Sequence, residues 1–229
     1  MEAKSTTRAR VDDELARKLQ PDTRSLKEKL VLACRMLGAQ GHWHGGLAGQ
    51  TTARGEQPGT YWTLKFGVGA DEATPADLIL VDDDLRPLDG VSLPNPAVRF
   101  HLWVYRVRPD VQSIVHTHPP AVTALSMTGQ RLAVAHMDAT PFYDNCGYLD
   151  DWPGLPIADN EGEVIAGALG QRPVLSPARH AGIDQLGVAR QRHVGAQTQP
   201  LHDAGTQALY EHVASFHQAQ EDVPVMFTL

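Results

Sequence analysis

Two histidines, His116 and His118, stand two positions apart in the stretch SIVHTHPP, residues 113–120. The run before them is apolar, and two prolines close it. In a strand, side chains at i and i+2 leave the same face, so both imidazoles can aim at one point while Thr117 turns away. Zinc takes histidine nitrogen at about 2.0–2.1 Å, and a catalytic zinc site uses three protein ligands. Two histidines on one strand supply two of the three. The end of a strand in an α/β fold is also where ligand sites form. The same spacing equally describes a pair of ordinary, partly exposed strand histidines, and spacing alone leaves both readings open.

Other residues that can do chemistry are scattered. Tyr143 lies in FYDNCGYLDDWPG with Asp144 and Tyr148, a polar-aromatic loop whose place suits substrate contact. A tyrosine there can act as a general acid, although loop filler fits as well. His101 reads as a packing histidine or a contact behind a metal site. His42 and His44 flank Trp43 in a Gly-rich loop and read as surface residues. Glu161 and Glu163 read as acids in the first turn of a helix.

The elements that must position these side chains alternate along the chain. TRSLKEKLVLACRMLGAQG is the clearest helix, with Thr23 or Ser25 as its cap and Gly38 at its end. GHWHGGLAGQTTARG reads as a loop running into a strand. TYWTLKFG and DLILVDDD read as strands. AVRFHLWVYRVRPD reads as a helix with Pro96 near its first turn and Arg108–Pro109 as its stop. VQSIVHTH is then a buried strand, PPAVTALSMTG a short helix, RLAVAHMD a strand, EGEVIAGALG a helix ending at Gly170, and RPVLSPAR a strand. This alternation indicates an α/β layered domain.

Composition sets the class. The 229 residues are 42% hydrophobic, with 16 Pro and 20 Gly, which suits one globular domain with a sizeable core. The formal charge of −7, with no basic stripe, argues against nucleic-acid binding. Two cysteines, Cys34 and Cys146, are too few for a disulfide framework and lack metal-ligand spacing, which fits a reducing compartment. The N-terminus lacks the apolar core of a signal peptide, and no run approaches the roughly 18 apolar residues of a membrane span. The expectation is a cytoplasmic protein without a membrane or nucleic-acid partner. Residues 1–22 read as a charged arm and 23–229 as the domain, with 176–229 atypical in pattern.

The order of elements from about residue 24 to 175 resembles the class II aldolase/adducin family. RFHLWVYRVRPDVQSIVHTHPPAVTALS carries the resemblance most strongly. LVLACRMLGAQG, GGLAGQTTAR and DLILVDDDLRPLDG support it in unbroken order. It implies an α/β/α fold on a mostly antiparallel sheet, usually a homotetramer with active sites between subunits. It also implies a divalent metal, zinc foremost with manganese or iron as alternatives, held by His116, His118 and a downstream histidine, here His180. In the family's sugar-phosphate aldolases such a metal polarises a carbonyl for C–C cleavage.

Three departures limit what carries over. The Ser-Ser-Glu stretch of those aldolases is replaced by NPA, with Ala97 at the acid/base position. Their phosphate-binding Gly-Asn pair is replaced by Gly49–Gln50, and the two serines by Asn95–Pro96. Gln50 and Asn95 can still hydrogen-bond a polar group, and Asn95 can equally be a turn residue ahead of proline. His180 is followed by Ala181 before Gly182, one residue off the family's His-Gly, in a region where a frame change near residue 175 would explain the lost helical pattern. The expectation is therefore a metal-dependent lyase acting on a small hydroxylated or keto carboxylic acid, by decarboxylation or aldol-type cleavage. Gly49, Gln50 and Asn95 would orient the substrate and Tyr143 would serve as catalytic acid. A non-haem iron oxygenase of the aldolase-like type and an inactive adducin-like module are the alternatives.

Overall fold

The first well-formed helix, α1 (Leu26–Ala39), starts where the sequence places a cap. Ser25 Oγ accepts from the Glu28 N–H, and the Glu28 carboxylate takes the Ser25 N–H at 2.7 Å, a reciprocal capping box. Leu30, Val31, Cys34 and Leu37 form its buried face. The helix does not end at Gly38. It runs to Ala39, and Gly41 takes the left-handed turn at φ 69°. Gly38 is needed inside the helix, because a Cβ there would lie 2.7 Å from the Asp71 nitrogen. The computed structural model describes residues 9–11, 13–15, 17–18, 22–43, 49–150, 159–177 and 225–228.

Three strands follow as an antiparallel meander: β1 (Gln50–Arg54), β2 (Thr60–Leu64) and β3 (Leu78–Asp82). A single turn, Pro96–Val98, leads into α2 (Arg99–Val107), then β4 (Ser113–His116) and α3 (Pro120–Met127). Next come β5 (Cys146–Leu149), α4 (Asp159–Leu169), β6 (Val174–Pro177) and β7 (Val225–Thr228). The seven strands make one sheet in the order β3-β2-β1-β4-β7-β6-β5. It is antiparallel from β3 to β4 and parallel from β4 through β7 and β6 to β5.

Alternation along the strands divides the core into two layers. Tyr61, Ile79, Val81 and Ile114 face α2 and α4, packing with Phe100, Leu102, Tyr105, Ile165 and Leu169. Ala53, Leu64, Leu78 and Val115 face the other way, onto Leu30, Cys34 and Leu37 of α1. The expected three-layer α/β/α arrangement is what results. Cys34 and Cys146 are buried free thiols, and burial pushes Cys34 up to about 12. Among the described residues, no helix is long and apolar enough to cross a membrane.

Several expectations need correction. RLAVAHMD forms no strand: residues 131–136 carry no regular structure and stay exposed or half-buried, so its alternation has no layer to bury against. A six-residue turn, Met137–Phe142, follows instead. Strand β4 ends at His116, so His118 lies beyond the ladder rather than in it. Strand β7 is not legible in the sequence, since four residues between unpatterned neighbours give no usable period, yet it lies inside the sheet between β4 and β6. His180, with the rest of residues 178–224, lies outside the described residues.

The Arg108–Pro109–Asp110 stop of α2 is a clamp. Arg108 forks onto Asp110 through Nε and Nη2, at 2.8 and 2.6 Å. Its Nη1 donates to the carbonyls of Gly170 and Arg172, at 2.8 and 3.3 Å. The guanidinium thereby ties the end of α2 to the α4–β6 connection. Farther along, Trp103 of α2 lies so close over Gly162 of α4 that a Cβ there would come 2.3 Å from its ring. Replacing the buried Arg108 by Ala strands two carbonyls and is expected to lower stability by about 2–4 kcal/mol in urea denaturation.

The Asp110 carboxyl is held below its usual range, chiefly by the Arg108 hydrogen bonds. A depressed carboxyl stabilises the fold above its unfolded value of about 3.9, and that share is lost as pH falls through the lower folded value. Wild type is therefore expected to exceed Asp110→Asn in stability near neutrality. The two curves should converge as pH falls below about 4.

Candidate active site

Strand β4 delivers His116 to the face that carries Ile114, and its cross-strand partner on β1 is Gln50. The two side chains meet. His116 Nδ1 lies 2.7 Å from Gln50 Oε1, with both residues buried. An amide oxygen only accepts, so the proton sits on Nδ1 and the ring lone pair on Nε2. Phe100 of α2 stands edge-on to the same imidazole, with ring centres 5.1 Å apart.

Half-buried His118 follows past the strand end, where its backbone N–H donates to the His42 carbonyl at 2.8 Å. Pro119 and Pro120 then end the strand pairing and open α3, with Pro120 in its first position. The imidazoles of His116 and His118 have ring centres 4.7 Å apart, inclined by 46°. The pair thus converges even though only one member is in the strand. Its donor set, two imidazoles with the ring nitrogens of one already oriented by a hydrogen bond, suits a divalent transition metal. Among the described residues, no group of three His, Cys, Asp or Glu side chains is assembled, and the expected third ligand, His180, falls outside them.

Beside the histidines opens a shallow cleft lined by Trp43, Gly49, Gln50, Lys65, Phe66 and Asn95, among others. It unites the three residues that the sequence suggests for substrate. Gly49 sits at φ 131°, and a Cβ there would lie 2.6 Å from the Trp43 ring, so the chain enters β1 only as glycine. Asn95 uses its side-chain oxygen to accept from the Ala97 N–H at 3.0 Å, capping the Pro96–Val98 turn. Lys65, whose Nζ also donates to the Ala76 carbonyl, is the one cation among the described lining residues. A lone lysine in a strand tail carries no spacing signal, so the sequence did not single it out. Tyr143 lies elsewhere, 67% exposed on the loop after Met137–Phe142.

Behind His116 the sheet face is polar and buried. Thr52 Oγ1 lies 2.8 Å from His101 Nδ1 and 2.9 Å from the Tyr105 hydroxyl. All three groups are served when Tyr105 donates to Thr52 and Thr52 donates to the imidazole. Burial pushes His101 down to about 3, so it is neutral, and its Nε2 has no hydrogen-bond partner among the described residues. Its ring centre is 6.4 Å from that of His116. His101 is therefore packed as one of the two sequence readings held. His101 and Tyr105 stand four residues apart on α2, the one spacing that signals the network in advance. His42, which reads as surface from the sequence, is buried, because the chain leaving α1 folds back to lay Trp43 on Gly49. His44 is outside the described residues.

A three-layer α/β/α domain built on this mixed seven-stranded sheet is the fold of the class II aldolases. Residues 28–183 match the Class II Aldolase and Adducin N-terminal domain, and the chain belongs to that family. It is 36% identical over 154 residues to a 4-hydroxy-3-prenylphenylpyruvate oxygenase/4-hydroxy-3-prenylbenzoate synthase of Streptomyces roseochromogenus subsp. oscitans, covering 66% of this chain and 56% of that one. It is 35% identical over 154 residues to Decarboxylase NovR of Streptomyces niveus, covering 66% and 57%. The chain thus spans less than two thirds of the length of either relative. Among solved structures, L-fuculose 1-phosphate aldolase from Glaciozyma antarctica PI12 superposes with a TM-score of 0.60 and 30% identity, over 68% of this chain and 61% of that one.

The strained approach of Gly49 to Trp43 is testable. Gly49→Ala is expected to cost about 2 kcal/mol or more. That would lower Tm by roughly 4–8 °C in scanning calorimetry. An unchanged Tm would contradict the tight entry into β1.

Proposed function

We propose that the protein is a metal-dependent carbon–carbon lyase acting on a small hydroxylated or keto carboxylic acid, by decarboxylation or aldol-type cleavage. The observation that carries this reading is the convergence of His116 and His118, 4.7 Å apart between ring centres, beside a cleft holding a lysine. His116, His118 and His180 would hold a divalent cation, zinc foremost, with manganese or iron as the alternatives. When bound, such a metal supplies Lewis-acid polarisation of a chelating hydroxyl, carbonyl or carboxylate oxygen. The similarity to Decarboxylase NovR supports the lyase class.

The chain's own residues then have defined tasks. Lys65 offers a positive charge to a substrate carboxylate, and Gly49, Gln50 and Asn95 shape the cleft that orients it. Ala97 has no ionisable group, so the acid/base step of the sugar-phosphate aldolases has no counterpart at that position. Loss of carbon dioxide needs no proton abstraction from substrate carbon. A single donor suffices afterwards, and the Tyr143 hydroxyl is the candidate for that proton. Its exposure in one chain fits a homotetramer in which a loop of one subunit serves a neighbour. A cytoplasmic location, without nucleic-acid or membrane partners, belongs to the same proposal.

The oxygenase/synthase name of the other relative favours a second reading, an iron-dependent oxygenase. Metal analysis separates the two. Purified protein is expected to hold about one zinc or manganese per chain, and His116→Ala is expected to retain less than about a tenth of it. Bound iron together with O2 consumption on a keto acid would replace the lyase by the oxygenase. A wild-type chain that takes up none of the three metals would overturn both.

A further inference from the structure

Gln50 carries more than the cleft wall. Resting on the metal reading of His116, we infer that Gln50 is a positioning residue that sets the tautomer and orientation of the His116 ring. The two residues are direct register partners across β1 and β4, so their side chains leave the same sheet face. Glutamine is long enough to place Oε1 2.7 Å from Nδ1 across that gap. Asparagine, one methylene shorter, is not. Gln50 is 5% exposed and His116 7%, so water does not compete for the bond.

The chemistry follows from the acceptor. A carbonyl-type oxygen takes the Nδ1 proton and fixes the lone pair on Nε2, the nitrogen that a metal would use. Phe100 stands edge-on against the same ring and restrains its plane, so the hydrogen bond and the packing agree on one orientation. An amide differs from a carboxylate partner in being neutral. It holds the ring while raising its basicity less than a carboxylate would, which leaves more of a metal's charge to act on an anionic substrate. Strand entry supports the arrangement, since Gly49 seats Gln50 at the first position of β1 against Trp43.

The test uses the whole chain and two readouts. In metal-free protein, long-range proton–nitrogen NMR is expected to show His116 as the Nδ1–H tautomer in wild type and Gln50→Glu. In Gln50→Leu and Gln50→Asn the Nε2–H form should appear. Titration with Zn2+ alone, against a chromophoric chelator, is expected to show about 10–100-fold weaker binding for Leu and Asn, with Glu at least equal to wild type. Unchanged tautomer and Zn2+ affinity in a folded Gln50→Leu would overturn the inference and leave the metal reading standing. Should the Leu variant fail to fold, an Nε2–H form in wild type, or weaker Zn2+ binding by Gln50→Glu, overturns it equally. Wild-type protein that binds no Zn2+, Mn2+ or Fe2+ removes the metal reading, and the inference with it.

Discussion

The antiparallel pairing of β1 with β4 is the constraint on which the rest depends. It joins Gln50 to His116, Thr51 to Val115, Thr52 to Ile114 and Ala53 to Ser113. One face of these pairs holds the site and its polar support, and the other holds the α1 core. Because side chains alternate with period two, a one-residue slip would send His116 to the α1 side and Val115 to the site. Register here is therefore chemistry as well as packing. The apolar residues Ile114 and Val115, buried in opposite layers, make any slip expensive.

A buried polar layer braces that pairing from behind. Thr52 joins His101 and Tyr105, while Arg54 donates to the carbonyls of Val111, Tyr105 and Arg108 from beneath the same helix end. Net stabilisation by one such bond is about 1 kcal/mol, but leaving a buried partner unserved costs about 1–3 kcal/mol. The layer therefore resists rearrangement more strongly than it adds stability. Desolvation keeps His101 uncharged near the histidine pair, so it adds no positive charge that would repel a cation.

On the substrate side the chain has traded groups of one kind for another. The stretch before α2 is fixed locally: Asn95 is bonded to its own turn, and Ala97 carries no ionisable group. Gln50, where a phosphate-binding residue is expected in the sugar-phosphate aldolases, points its oxygen at a histidine. Lys65 is the one cation among the cleft's described lining residues.

Much was determined by sequence alone. A capped, periodic segment became α1, further periodic segments became α2 and α4, apolar runs became β2, β3 and β4, and His116 with His118 stood out because residue type and short spacing survive in one dimension. What failed was local pattern without a local cause. RLAVAHMD alternates like a strand but lacks a partner layer, and β7 is a strand only because β4 and β6 leave room between them. Likewise no spacing could reveal that Gln50, 66 residues from His116, holds its ring, or that Lys65 shares a cleft with Asn95. Those relations depend on strand register and chain reversal. They arise when distant segments are brought within hydrogen-bonding distance, and only the tertiary structure decides that.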